Sequence, residues 1–159
     1  MSSDATFEDG REAPVNLGAQ DTADLQVISA LAQDAVLPIT EMAWRPRDRR
    51  LALLVNRLRR EDVDAARARG RAIERVRSLL VIDNVLAVSS QGFDRRDGDL
   101  VLQILTVDFE PGEDGAGDVL LTLAGDGAIR ARVEALEVTL KDVTRPYRAP
   151  SGHVPDHGK

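Results

Sequence analysis

Few side chains in this chain are able to do chemistry, and their spacing gives most of them ordinary duties. His153 and His157 stand four residues apart, as some helical metal ligands do. Pro155 between them works against a helix, and a ligand pair on an unsupported tail lacks the rigid shell that holds a metal. No histidine-activated nucleophile is expected: Ser89 and Ser90 fall in a strand pattern without a base nearby, and G-x-S-x-G does not occur. Cysteine is absent, which excludes disulfides, thiolate catalysis and cysteine-held zinc or iron–sulfur. The stretch Gly112–Gly117 (GEDGAG) has the glycines of a phosphate loop. It carries two acids, lacks a following Lys-Ser/Thr and precedes a strand pattern, so it fails as a phosphate cradle. Asp94, Asp97 and Asp99 surround Gly98 without the spacing of a calcium loop, and Arg95-Arg96 opposes a cation. These aspartates read as turn formers. No cofactor and no metal is expected.

Two constellations remain. Asp108 and Glu110 share a pleat face at the end of an apolar run, and Glu134 with Glu137 could join them as an acid/base pair. Letting the strand emerge into solvent is a simpler role for the first two. The second constellation is basic. Between Arg45 and Arg77 there are 12 Arg and no Lys against 5 acids, a local net of +7, while the remainder has 9 basic and 22 acidic residues, net −13. Arg47, Arg49, Arg50, Arg57, Arg59 and Arg60 are the candidate anion- or partner-binding residues, since such asymmetry can mark an anionic partner. Against this, 19 of the 21 basic residues in the chain are Arg, so the excess also follows from general arginine usage. Trp44 is the one aromatic in the segment, which is poor provision for stacking nucleic-acid bases.

The elements that must position these residues are mostly strands. Val85–Phe93 and Leu100–Phe109 flank a polar DRRDGD turn, which predicts a hairpin over Asp83–Glu110 as the centre of the core. Its second strand is apolar on both parities, Leu100, Leu102 and Ile104 against Val101, Leu105, Val107 and Phe109, as in a strand covered on both faces. Shifted back by 49 residues, the segment falls on Asp34–Glu61 with eight identities in 28 positions, among them Asp34/Asp83, Leu51/Leu100 and Glu61/Glu110. Two similar hairpins, Val36–Leu58 and Val85–Phe109, are the expectation, with Trp44 and Phe93 plugging their ends.

The remaining chain fills in around them. Residues 1–20 lack a period and read as a disordered arm without an apolar secretory h-region. An amphipathic helix is predicted from about Thr22 to Gln33, with Leu25, Ile28, Leu31 and Ala35 at near-helical spacing and Ala32 on the same face. Pro38 marks the strand Val36–Trp44 as an edge. Glu61–Arg71 reads as a mobile loop or one frayed helical turn, the loop being favoured, and Ala72–Ile82 as a strand. Gly125-Asp126-Gly127 predicts a tight turn between Asp118–Ala124 and Ala128–Val133. After Val133 the alternation shifts parity, so either a bulge carries the strand on or a helix begins near Glu134; Val138 and Thr139 favour strand. Residues 145–159 hold three prolines and read as a disordered tail. The sum is a β-rich α+β domain over 21–144: about seven antiparallel, hairpin-connected strands forming a barrel or two packed sheets, with the N-terminal helix. Element order alone suggests a pleckstrin-homology-like barrel if a closing C-terminal helix is present.

Several strings occur together: Gln33-Asp34-Ala35-Val36, Leu53–Arg57 (LLVNR), Phe109-Glu110-Pro111-Gly112 and Gly125–Arg130 (GDGAIR) followed by Val133–Glu137 (VEALE). On these the chain resembles a family of small bacterial proteins of unknown function, numbered 2948, over about Asp24 to Val143. Asp126 departs from an all-glycine turn but suits the same geometry. The resemblance brings no activity and no site residue.

With no apolar run near the roughly 20 residues of a membrane span, a cytoplasmic, non-enzymatic protein is expected, acting through a protein partner or as a homodimer. Pairing of an exposed sheet edge or apolar face is the expected mode. Binding of anions or nucleic acid by the arginines, and an enzyme with a carboxylate pair, are the alternatives.

Overall fold

The structure is a computed structural model and describes residues 13–148. His153, His157 and most of the two terminal segments therefore lie outside the described residues.

Among the described residues the strands are eleven, not seven: β1 (Asn16–Ala19), β2 (Val36–Pro38), β3 (Met42–Arg45), β4 (Arg50–Leu58), β5 (Glu74–Ile82), β6 (Val85–Gln91), β7 (Val101–Pro111), β8 (Gly117–Leu123), β9 (Ala128–Val133), β10 (Val138–Asp142) and β11 (Tyr147–Arg148). All pairings are antiparallel, in the order β1-β10-β5-β4-β2-β7-β8-β9-β6, with β3 beside β4 and β11 beside β5. The sheet does not close into a barrel, and β1 and β6 stand at its two ends. Helix α1 (Thr22–Ala32) starts on Asp21, whose carboxylate accepts from Asp24 N–H at 2.8 Å, and buries Leu25, Ile28 and Ala32. It packs on β7, where Ser29 Oγ accepts from Val107 N–H at 2.9 Å.

The expected central hairpin does not form. β6 pairs with β9, and β7 lies between β2 and β8, so Val85–Gln91 and Val101–Pro111 are not neighbours. The nine-residue connection from Gly92 to Leu100 crosses between them rather than reversing the chain in place. In the other segment β3 and β4 do pair locally, from Met42↔Leu53 to Arg45↔Arg50. The two similar segments thus have different partners. Nor is Val36–Trp44 one edge strand. A 3-10 turn at Ile39–Glu41 divides it, and β2 has β4 on one side and β7 on the other.

The doubled apolar character of β7 has a local cause. Between Ile104 and Thr106 the register against β8 shifts by one residue, so Leu105 is an extra residue in the strand. A bulge of this kind reverses which parity faces inward. Leu102, Ile104 and Val107 are accordingly all buried, while Val101 is 60% exposed. The strand is not apolar on both faces; it changes parity halfway.

One core cluster joins Leu51, Leu53, Val55, Leu80 and Ile82 from one half of the sheet to Leu102, Ile104, Val107, Leu121, Ile129 and Val133 from the other, with Leu25 and Ile28 above. Trp44 and Phe93 pack at its margin. The β8–β9 turn is as expected: Gly125 and Asp126 both have positive φ (79° and 67°), and Leu123 N–H bonds Gly127 C=O at 2.8 Å. After β9 the chain bends at Glu134 and Ala135, without a helix, and β10 leaves to pair with β5 and β1.

Three stretches read as irregular are ordered. Asn16–Ala19 pairs with β10, and Tyr147–Arg148 pairs with β5, so the terminal arm and tail of the sequence reading both contain a strand. Glu61–Arg71 takes the helical alternative over the favoured loop: a 3-10 turn at Arg60–Asp62 runs into α2 (Val63–Ala68), and Ala66 packs with Leu58 and Ile73. Among the described residues no helix follows β10.

Candidate interaction edge

β4 alternates cleanly, with Leu51, Leu53 and Val55 inward, and this parity carries Arg57 inward as well. The same happens on β5, where Val76, Ser78, Leu80 and Ile82 face the core, and on β10, where Val138, Leu140 and Asp142 do. Arg57, Ser78 and Asp142 therefore meet as a polar layer at one end of the core. Arg57 is fully buried and donates from Nη2 to Asp142 at 2.9 and 3.2 Å, from Nε to Ser78 Oγ at 2.9 Å, and from Nη1 and Nη2 to the two Glu61 carboxylate oxygens at 2.9 and 3.0 Å. Ser78 Oγ and Val15 N–H both donate to Asp142, at 2.7 and 2.8 Å. Burial pulls the Arg57 pKa down, but the bonds and charges of Glu61 and Asp142 more than offset it and hold it above its ordinary value.

The other candidate arginines divide between the two ends of β4. Arg59 meets Glu74 at 2.6 Å and Asp62 at 3.4 Å, and Arg71 clamps Asp62 at 2.9 and 3.2 Å. These contacts tie together the two ends of the segment that carries α2, Arg59 and Asp62 before it and Arg71 and Glu74 after it. Arg60 bonds the buried Asp34 carboxylate and the Gln33 carbonyl. At the far end, Arg49 pairs with Glu134 at 2.8 Å and Arg50 with Asp83 at 2.8 Å. The Asp83 hydrogen bond, then its charge, raises the Arg50 pKa. Seven residue steps along the strand carry Arg50 to Arg57, about 23 Å at ~3.3 Å per residue. The six arginines thus form two groups, and each except Arg47 has a carboxylate partner; Arg47 is exposed and has none among the described residues.

The carboxylate candidates are also separate. Glu110 is 53% exposed, pairs with Arg130 at 3.4 Å and borders an open depression of about 420 Å³. Glu134 is engaged by Arg49, and Glu137 accepts from Gln20 at 3.4 Å. Asp108 is exposed on β7. No group of three or more His, Cys, Asp or Glu placed to hold a metal occurs among the described residues, and no helix among them is long and apolar enough to cross a membrane.

What the sequence reading did not locate is the open flank of β6. β9 covers one side, from Val85↔Val133 to Gln91↔Ala128, with an extra residue at Leu86. On the other side the Val85 N–H bonds Arg49 C=O at 2.8 Å, and from Ala87 to Gln91 no backbone group bonds outside the β6–β9 ladder among the described residues. Ala87, Ser89 and Gln91 are exposed. Val85–Gln91 (VLAVSSQ) has no charged residue and no proline. Edge strands are commonly defended by inward charges, lysines, prolines or bulges; here only the bulge at Leu86 is present, and the five residues after it are regular. Gly92 closes the strand with φ 84°, and a Cβ there would lie 2.6 Å from the Asp126 carbonyl oxygen. The strand end is therefore set tightly against the β8–β9 turn.

Neither the curated proteins nor the solved structures include a match to this chain. The model of one protein family matches residues 15–157, nearly the full length. The chain belongs to that family, described as a protein of unknown function (DUF2948).

Proposed function

We propose that this protein is a non-enzymatic interaction module that takes up an extended partner segment as a new strand beside β6. The observation that carries the reading is the five-residue flank Ala87–Gln91, uncharged, proline-free and, among the described residues, without backbone partners on its outer side. Unpaired N–H and C=O groups on such a flank are a template for strand addition, in which main-chain bonds give affinity and alternate side chains give selectivity. Ala87, Ser89 and Gln91 would select small or polar neighbours on the outer face. The arginines support the same reading by default, because an anion at Arg49, Arg50, Arg57, Arg59 or Arg60 would have to displace a carboxylate already in place.

The test is an amide NMR titration with a neutral, end-capped heptapeptide of alternating Val and Thr. Chemical-shift changes centred on Ala87–Gln91, abolished by Ala87→Lys with Ser89→Lys, are expected. Both substituted positions are exposed, so the variant keeps its fold. Shifts elsewhere, or none at millimolar peptide, would sink the proposal.

A further inference from the structure

Resting on that reading, we infer that the strand taken up by β6 is the β6 of a second copy, paired antiparallel about a two-fold axis at Ser89. Three features of the flank point to this occupant. First, geometry restricts the register. In a continuous antiparallel sheet, facing residues point to the same side, so a two-fold pairing must place one residue opposite itself. The regular stretch after the Leu86 bulge is Ala87–Gln91, and its middle is Ser89. Pairing there sets Ala87 against Gln91 and Val88 against Ser90, using every regular position. Ser89 is exposed, so the two hydroxyls would meet on the solvent side.

Second, the strand brings no like charges together, because none of Val85–Gln91 is charged. Third, the charges that flank it are opposite at its two ends. At the Val85 end, fixed by the bond to the Arg49 carbonyl, Arg45, Arg47 and Asp48 are exposed and make no ion pair among the described residues, a net of +1. Beyond the Gln91 end, Asp94 pairs with Arg96, which leaves Arg95, Asp97 and Asp99 without an ion-pair partner among the described residues, a net of −1. Antiparallel pairing lays the basic end of each copy against the acidic end of the other, twice per dimer. A parallel pairing would lay like against like.

A five-residue ladder is small beside a standard interface, so the dimer is expected to be weak and concentration-dependent. The native chain has no cysteine, so single cysteines report register cleanly. Ser89→Cys should form an intermolecular disulfide on mild oxidation, since facing residues have Cα atoms about 4.5–5.5 Å apart, within disulfide range. Gln91→Cys should not, because its copies would be about 13 Å apart along the strands. In sedimentation equilibrium, Arg47→Glu and Asp97→Arg should each weaken the dimer by roughly 3- to 10-fold, and the double variant should recover it. A merely structural effect of either substitution would not be rescued by the other. A monomer at about millimolar concentration, or oxidation of Ser89→Cys no faster than Gln91→Cys, overturns the second copy as occupant. If the neutral peptide still protects Ala87–Gln91 in that case, the edge reading stands with another partner. If the peptide also fails, both fall.

Discussion

Substitution of Asp142 by Ala perturbs the polar layer where its size can be worked out. The carboxylate accepts from Arg57 at 2.9 and 3.2 Å, from Ser78 Oγ at 2.7 Å and from Val15 N–H at 2.8 Å. Its removal leaves a fully buried guanidinium with one carboxylate, Glu61, instead of two. The hydroxyl of Ser78 can turn elsewhere, and the half-buried Val15 N–H can reach water, so those losses are modest. Breaking a buried ion pair by removing one partner costs about 3–5 kcal/mol. The retained Glu61 contact places Asp142→Ala near the lower end, about 3–4 kcal/mol. At about 2–4 °C per kcal/mol for a chain of this length, the midpoint should fall by roughly 6–16 °C. Arg57→Met with Asp142→Leu should lie within about 1 kcal/mol of the parent, because removing both charges also removes the cost of burying them. Urea unfolding of Arg57→Met, Asp142→Leu and the variant that carries both gives the coupling energy directly. A cost below about 1 kcal/mol for Asp142→Ala, or a double variant as unstable as the sum of the singles, would refute the reasoning.

Other outcomes follow from single contacts. Gly92→Ala should destabilise by more than about 1–2 kcal/mol, since an L side chain resists positive φ and its Cβ would meet the Asp126 carbonyl at 2.6 Å; chemical denaturation measures it. Asp94 should titrate below the usual carboxylate range, held down first by the Arg96 backbone N–H and then by the Arg96 side chain. Its contribution to stability is therefore present above the unfolded carboxylate pKa and lost as pH falls through the folded value. A carboxyl NMR titration reads this, and Arg96→Ala should move the pKa only part of the way back because the backbone bond remains. Asp62→Ala should loosen α2, seen as faster amide exchange over Val63–Ala68, by removing the carboxylate that Arg71 clamps.

The sequence was informative wherever the determinant is local. Gly125-Asp126 required positive φ and made the turn it predicted, and β4 alternated as written. The pairing of β6 was not legible for a physical reason: turn residues say that a chain changes direction, not which strand it arrives beside. DRRDGD shapes a turn, in which Asp94 and Asp97 carboxylates accept from the N–H groups of Arg96 and Asp99, yet the chain crosses to another part of the sheet. The bulge at Leu105 was hidden because one inserted residue makes a one-faced strand look two-faced. Arg57 could have been found, since it continues the inward parity of Leu51, Leu53 and Val55. Its partner Asp142, 85 residues away, could not. Asn16–Ala19 offers no apolar period and is held instead by β10 and by the reciprocal bonds between Val15 and Asp142.

Amide exchange along β6 bears most directly on the account. At low protein concentration, alternate amides from Ala87 to Gln91 should exchange slowly, where they bond β9, and the intervening ones quickly, where they face the open flank. The fast set should become protected as protein concentration rises or when the neutral heptapeptide is added. Uniform protection of all five amides in the dilute, peptide-free protein would mean that the flank is already covered, and would contradict the claim.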